Sequence, residues 1–212
     1  IFLHPGCSRP APVTADAFAK WFVSPWIPSQ VPQRSFSSVR LDSLTAQIRM
    51  TSPRGRGTVR LIDSTGRSYT LGYRVPSVIE DSDSFPLLVY LHGGIGTNLD
   101  TKGEQAYEMI STLADSMPLL LCSPSANREV PWWSPTGLSR ILQSVRFMTL
   151  HYPVQRDRIF LVGVSDGATG CWAAANTIPG PFAGFIAVSG LGGLLPRTGM
   201  ALFPGNLRHR PI

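Results

Sequence analysis

Gly163-Val164-Ser165-Asp166-Gly167 is the stretch of this 212-residue sequence whose residue types and order most directly offer chemistry. A serine between small residues can occupy the apex of a sharp turn and present its hydroxyl to a carbonyl carbon. Arg158-Ile159-Phe160-Leu161-Val162 before it is a strand-like run, and Ala168–Asn176 after it has helical spacing. Ser165 is therefore the candidate nucleophile of a strand–serine–helix turn. The plainer reading of the same residues is a tight glycine turn with an incidental serine. A helix opening at this point would add backbone N–H groups and partial positive charge beside the reacting centre.

His92-Gly93-Gly94 follows the apolar run Pro86-Leu87-Leu88-Val89-Tyr90-Leu91. Acyl transfer needs N–H donors around a developing oxyanion, and glycines let a backbone come close to substrate. The expected donors are the backbones of Gly93, Gly94 and Ile95 on this loop, together with Asp166 after the serine. His92 itself is expected to hold the loop by hydrogen bonds and not to act as a base.

These two motifs need a scaffold, and the hydrophobic pattern supplies one. Thr58–Asp63 and Ser68–Val75 are β-rich runs joined by Ser64-Thr65-Gly66-Arg67, the composition of a hairpin turn. Pro86–Leu91, Leu119–Cys122, Arg158–Val164 and Gly184–Gly190 are continuous apolar runs, as expected for strands buried on both faces of a parallel sheet. Helical spacing appears at Glu104–Ser116, Thr136–Tyr152 and Ala168–Asn176. Strands alternating with helices predict an α/β fold: a mostly parallel sheet, an antiparallel leading hairpin and helices on both faces. Residues 1–57 are rich in Pro, Ser and Arg, with a helix expected over Ala15–Val23 and with Trp21, Phe22 and Trp26 as possible anchors. The domain reading is thus a leader over 1–57, its role unassigned, and a catalytic core over 58–212.

Composition narrows the partners. Hydrophobic residues make up 43% and charged ones 15%, which favours an ordered chain. No apolar run reaches the ~20 residues a spanning helix needs, so a soluble protein without a membrane span is expected. The net charge of +6 comes almost wholly from arginine, since lysine stands only at positions 20 and 102. The arginines are dispersed, and Pro53-Arg54-Gly55-Arg56-Gly57 reads as a solvated loop, so nucleic acid is not an expected partner. Cys7, Cys122 and Cys171 form no metal or redox spacing, and no metal or organic cofactor is called for. Compartment and oligomeric state do not follow from these features.

Tyr90-Leu91-His92-Gly93-Gly94 together with Gly163-Val164-Ser165-Asp166-Gly167-Ala168 resembles the α/β-hydrolase superfamily. The likeness is greatest to its esterase, feruloyl-esterase and polyhydroxybutyrate-depolymerase-like branch, which overlaps with prolyl-oligopeptidase-like peptidases. Asp166, Trp172 and Pro131-Trp132-Trp133 fit that branch, and the resemblance covers roughly Thr58 to the C-terminus. It implies a serine hydrolase acting on small-molecule or polymeric esters through an acyl-serine, with Trp132 or Trp133 walling the substrate or simply packing in a loop. It also implies the chain order serine, acid, histidine. No Asp or Glu follows Asp166, and the only later histidine is His209. His151 precedes the serine's strand, and His4 lies in the leader. Arg208-His209-Arg210-Pro211-Ile212 looks like the entry to a further strand. The expectation is a core lacking its last strands, with an incomplete triad and little or no activity by itself. Two other readings stay open: a serine peptidase of the oligopeptidase type, and a hydrolase-like binding module that has lost catalysis.

Overall fold

A computed structural model describes residues 14–23, 38–80, 83–106, 110–112, 116–208 and 210–212. Its centre is a six-stranded sheet made of β1 (Gly55–Ile62), β2 (Ser68–Val75), β3 (Phe85–Leu91), β4 (Leu120–Pro124), β5 (Val154–Val164) and β6 (Gly184–Val188). The spatial order is β1-β2-β4-β3-β5-β6. β2 runs antiparallel to both β1 and β4, and the remaining pairings are parallel. The expected antiparallel start and parallel body are both present.

The hairpin closes because Asp63 organises its turn. Asp63 N–H donates to Arg67 O (3.0 Å), and the Asp63 Oδ1 accepts from Thr65 N–H (2.9 Å), Thr65 Oγ1 (2.6 Å) and Arg67 N–H (3.1 Å). Gly66 takes φ +83 inside that turn, where a side chain would be strained.

Alternation along β3 divides the core in two. Phe85, Leu87, Val89 and Leu91 enter the main cluster, whereas Leu88 and Tyr90 pack with Leu121, Val162, Val164 and Ile110 on the opposite face. Four helices close the main face: α1 (Ala15–Val23), α2 (Ser38–Thr51), α4 (Pro135–His151) and α5 (Asp166–Thr177). α3 (Lys102–Ala106) packs by β2 and β4, and Ile110 of helical residues 110–112 joins the second cluster. Expected helix Glu104–Ser116 is thus seen in parts, with 107–109 and 113–115 outside the described residues. α4 starts where Ser134 Oγ accepts from Gly137 N–H (3.0 Å) and Pro135 opens the first turn.

Helix α2 was not anticipated. Leu44 and Ile48 are buried and Leu41 is half-buried, a stripe that joins the core beside Phe18 and Val23 of α1. Phe22 packs against the same cluster, while Trp26 and the side chain of Trp21 lie outside the described residues. The described start of β5 is earlier than expected, because Val154 already pairs with Phe85. β6 ends sooner, since Ser189 turns to φ 57. Next to β6, Phe185 N–H donates to Pro211 O (2.9 Å), so the last residues lie alongside that strand. No helix among the described residues is long and apolar enough to cross a membrane.

Candidate active site

Ser165 is the hinge between β5 and α5. Its backbone sits at φ 55, ψ −119, a region that costs a non-glycine residue about 1–3 kcal/mol. Three contacts hold it there. Ser165 N–H donates to Val188 O of β6 (2.9 Å), and Ser165 O accepts from the N–H groups of Ala168 (2.9 Å) and Thr169 (3.1 Å) in α5. The flanking glycines are required by close backbone approach: a Cβ at Gly163 would meet the Gly167 carbonyl, and one at Gly167 the Leu91 carbonyl. The serine side chain is exposed. Ser165 is thus an exposed serine at positive φ, fixed by its neighbours at the turn between β5 and α5.

The loop after β3 comes to it directly. A Cβ at Gly93 would stand 2.9 Å from Ser165 Cβ and 3.5 Å from Ser165 Oγ, so only glycine lets the loop backbone lie against the serine. Gly94 follows at φ +66 and Ile95 is buried. Ile95 N–H donates to Asp166 Oδ2 (3.0 Å), while Lys102 Nζ donates to Gly94 O. Asp166 opens α5, so its own N–H has no intrahelical acceptor. The four backbones expected around an oxyanion are therefore neighbours, and the N–H of Ile95 already has a carboxylate partner.

His92 supports this loop from beneath. Its ring is 2% exposed, and Nε2 accepts from Ala126 N–H (3.1 Å), which leaves the proton on Nδ1 facing Gly93 O (2.9 Å). Burial is the main cause that pushes its pKa down to about 4, with the Lys102 charge adding to it. A neutral ring with both nitrogens engaged is a brace. Trp132 belongs to the same brace. It is fully buried, its indole N–H donates to His92 O (2.9 Å), and the two rings meet edge to face at 5.1 Å. The structure thus gives Trp132 to loop packing, whereas Trp133 is half-buried and keeps exposed surface.

The loops after β3 and β4 also meet in a charged node that sequence reasoning missed. Arg140 of α4 is fully buried and donates through Nε (2.9 Å) and Nη2 (2.6 Å) to Asp63 Oδ2. Its Nη1 donates to Asp100 Oδ1 (2.8 Å) and Ser125 O (2.9 Å), and its guanidinium lies 4.5 Å from the Tyr69 ring centre. The turn after β1, the loop after β3 and the loop after β4 thus converge on one side chain. Arg67 extends the node to Asp100 (3.4 Å) and Glu129 (2.5 Å).

His151 lies elsewhere. It ends α4 immediately before β5, and Ser165 follows the other end of that 11-residue strand. Its Nδ1 pairs with Ser52 Oγ (2.8 Å), its ring stacks on Phe147 at 4.3 Å, and burial pushes its pKa down to about 4. His4 and His209 lie outside the described residues. Among the described residues no histidine is placed to take the Ser165 proton, and no His, Cys, Asp or Glu group is arranged to hold a metal ion. Cys122 and Cys171 are free, buried thiols whose pKa is raised by burial.

No family model matches the sequence, and no curated protein matches it. Solved structures do. An S-formylglutathione hydrolase (FrmB) from Staphylococcus aureus superposes with a TM-score of 0.54 at 19% identity, covering 68% of this chain and 62% of its own. A thermostable esterase gives 0.54 at 20% identity over 62% of this chain and 40% of its own. The acetyl xylan esterase of Aspergillus awamori gives 0.51 at 19% identity, over 64% and 52%. The chain therefore spans between 40% and 62% of the length of these three proteins. What they share with it is architecture, and on that ground the fold of this chain is that of the α/β-hydrolases.

Proposed function

We propose that this chain carries the nucleophile and the oxyanion-stabilising elements of a serine hydrolase acting on carboxylic esters. The observation that carries the reading is Ser165: exposed, held at φ 55 between a buried strand and a helix, with the Gly93 backbone packed against it. In the proposed reaction Ser165 Oγ bonds to the ester carbonyl carbon and gives up its proton to a base. The carbonyl π electrons move onto oxygen, where the N–H of Asp166 and N–H groups of the Gly93–Gly94 loop donate to the resulting oxyanion. Collapse of that intermediate breaks the carbon–alkoxy bond, and the protonated base gives its proton to the departing alkoxide, which leaves as the alcohol. The remaining acyl-serine is hydrolysed by water through the same two steps. A half-buried Trp133 is the proposed wall for the acyl group.

Neither described histidine reaches Ser165, so the described residues by themselves would leave the serine weakly activated. Ester turnover should then exceed the uncatalysed rate by no more than about 10³–10⁴-fold, the level that binding and an oxyanion hole sustain without a working triad. The test is prolonged incubation with a fluorophosphonate probe, followed by peptide mass analysis. One adduct on the Ser165 peptide, absent from Ser165→Ala, is the expected result. An unmodified Ser165 in a folded chain would overturn the reading in favour of a binding module.

A further inference from the structure

We propose that Lys102 and Asp166 are positioning residues that clamp one peptide unit of the oxyanion loop, Gly94–Ile95, from its two ends. The proposal rests on the reading of Ser165 as nucleophile for its meaning, and on geometry for its substance. The carbonyl of that peptide accepts from Lys102 Nζ, and its N–H donates to Asp166 Oδ2 at 3.0 Å. A peptide is a dipole with its negative end at oxygen and its positive end at N–H. Here an ammonium faces the negative end and a carboxylate faces the positive end. Rotating the peptide by half a turn would aim oxygen at the carboxylate and N–H at the ammonium, so both contacts would become repulsive.

The clamp answers a problem created by the loop itself. Gly93 must be glycine to let the backbone reach the serine, and Gly94 stands at φ +66. Two adjacent glycines leave peptide orientation weakly determined, because neither carries a side chain to bias φ and ψ. The buried Ile95 side chain anchors the far end of the loop but does not choose which way the preceding peptide points. Lys102 begins α3 and Asp166 begins α5, so the choice is made by residues of two separate elements outside the loop.

This arrangement sorts the donors. Ile95 N–H is committed to the Asp166 carboxylate, which leaves the N–H groups of Gly93, Gly94 and Asp166 to receive an oxyanion. It also gives Asp166 two separate tasks: its backbone faces the reacting centre, while its side chain ties the serine turn to the loop 71 residues away in sequence.

The experiment is amide hydrogen exchange followed by NMR on the purified chain, read at Ile95 with Leu161 and Leu87 as sheet controls. In the wild type the Ile95 amide should be protected. Asp166→Ala should speed its exchange at least about tenfold, the scale of one lost charge-assisted bond, with the controls unchanged. Asp166→Asn keeps a carbonyl acceptor and should restore most of the protection. Lys102→Met, which removes only the carbonyl's partner, should also speed exchange and serves as the second variant if Asp166→Ala perturbs the sheet. Exchange at Ile95 that is unprotected in the wild type, or indifferent to both Asp166→Ala and Lys102→Met, overturns the clamp. Probe labelling separates the two ideas: a labelled Ser165 with an indifferent Ile95 refutes only the clamp, and a protected, Asp166-dependent Ile95 with an unlabelled serine refutes only the hydrolase.

Discussion

Ser165 carries strain that the surrounding backbone imposes, and strain can be measured by relieving it. Glycine occupies φ 55 without a Cβ penalty, so Ser165→Gly should stabilise the fold by about 1 kcal/mol after its extra unfolded-state entropy is subtracted. Thermal melts should then show a rise of about 2–4 °C, while Ser165→Ala, which keeps the Cβ, should stay near the wild type. A fall on Ser165→Gly would mean that the turn is not strained. The residues of this turn were legible because their signals are local, small flanks with a strand before and a helix after, even though the contacts that hold the turn reach to Val188 and Leu91. The Asp166 carboxylate was not legible, and the sequence favoured only its backbone. Its partner Ile95 is 71 positions away, and nothing in the spacing of charges announces a bond to a main-chain N–H. Trp132 is similar, since its bond to His92 O spans 40 positions.

At the scale of elements, Arg140 ties together the turn after β1 and the loops after β3 and β4. It carries a fully buried charge against a fully buried Asp63 carboxylate. Burial alone would raise the Asp63 pKa, but the Thr65 hydroxyl and amide and the Arg140 guanidinium outweigh it and hold the pKa below its ordinary value. Removing one partner leaves the other charge buried alone, so Arg140→Met should cost about 3–5 kcal/mol in urea unfolding. Arg140→Met with Asp63→Asn should recover more than half of that loss, since no unpaired charge then remains at the pair. A double variant no more stable than the single one would show that the node acts through shape and not charge. The strands and α4 were readable from apolar runs and helical spacing. Helix α2 was hidden by composition: Leu41, Leu44 and Ile48 are helically spaced, but they lie in a Pro/Ser/Arg-rich stretch without a sharp cap. The Arg140 node was equally hidden, because its members come from four separated segments.

Across the whole molecule, two histidines make stability depend on pH. His92 and His151 are both held to a pKa of about 4, against an ordinary value of about 6.5. Between those values the unfolded chain binds protons that the folded chain refuses, so stability is complete above about pH 6.5 and declines as pH falls towards 4. Melting temperature should drop by several degrees between pH 7 and pH 5, and His151→Gln should flatten that slope while leaving the serine turn intact. An unchanged slope in this variant would show that His151 titrates normally. The α/β class and the antiparallel start of the sheet were foreseeable from the apolar runs and the hairpin turn, whereas the strand order and the way the leading helices join the main core needed the fold itself. One consequence concerns β6, a strand of five residues. At one end its Phe185 N–H reaches Pro211 O, and at the other its Val188 O receives the Ser165 N–H. So short a ladder acts as a gauge. A slip of one residue would withdraw the Val188 carbonyl and present the N–H of Ser165 with the wrong part of a pleat, so strand register bears directly on the geometry of the proposed nucleophile. Insertions or deletions between Gly184 and Val188 should therefore silence the serine even where every residue of its own motif is untouched.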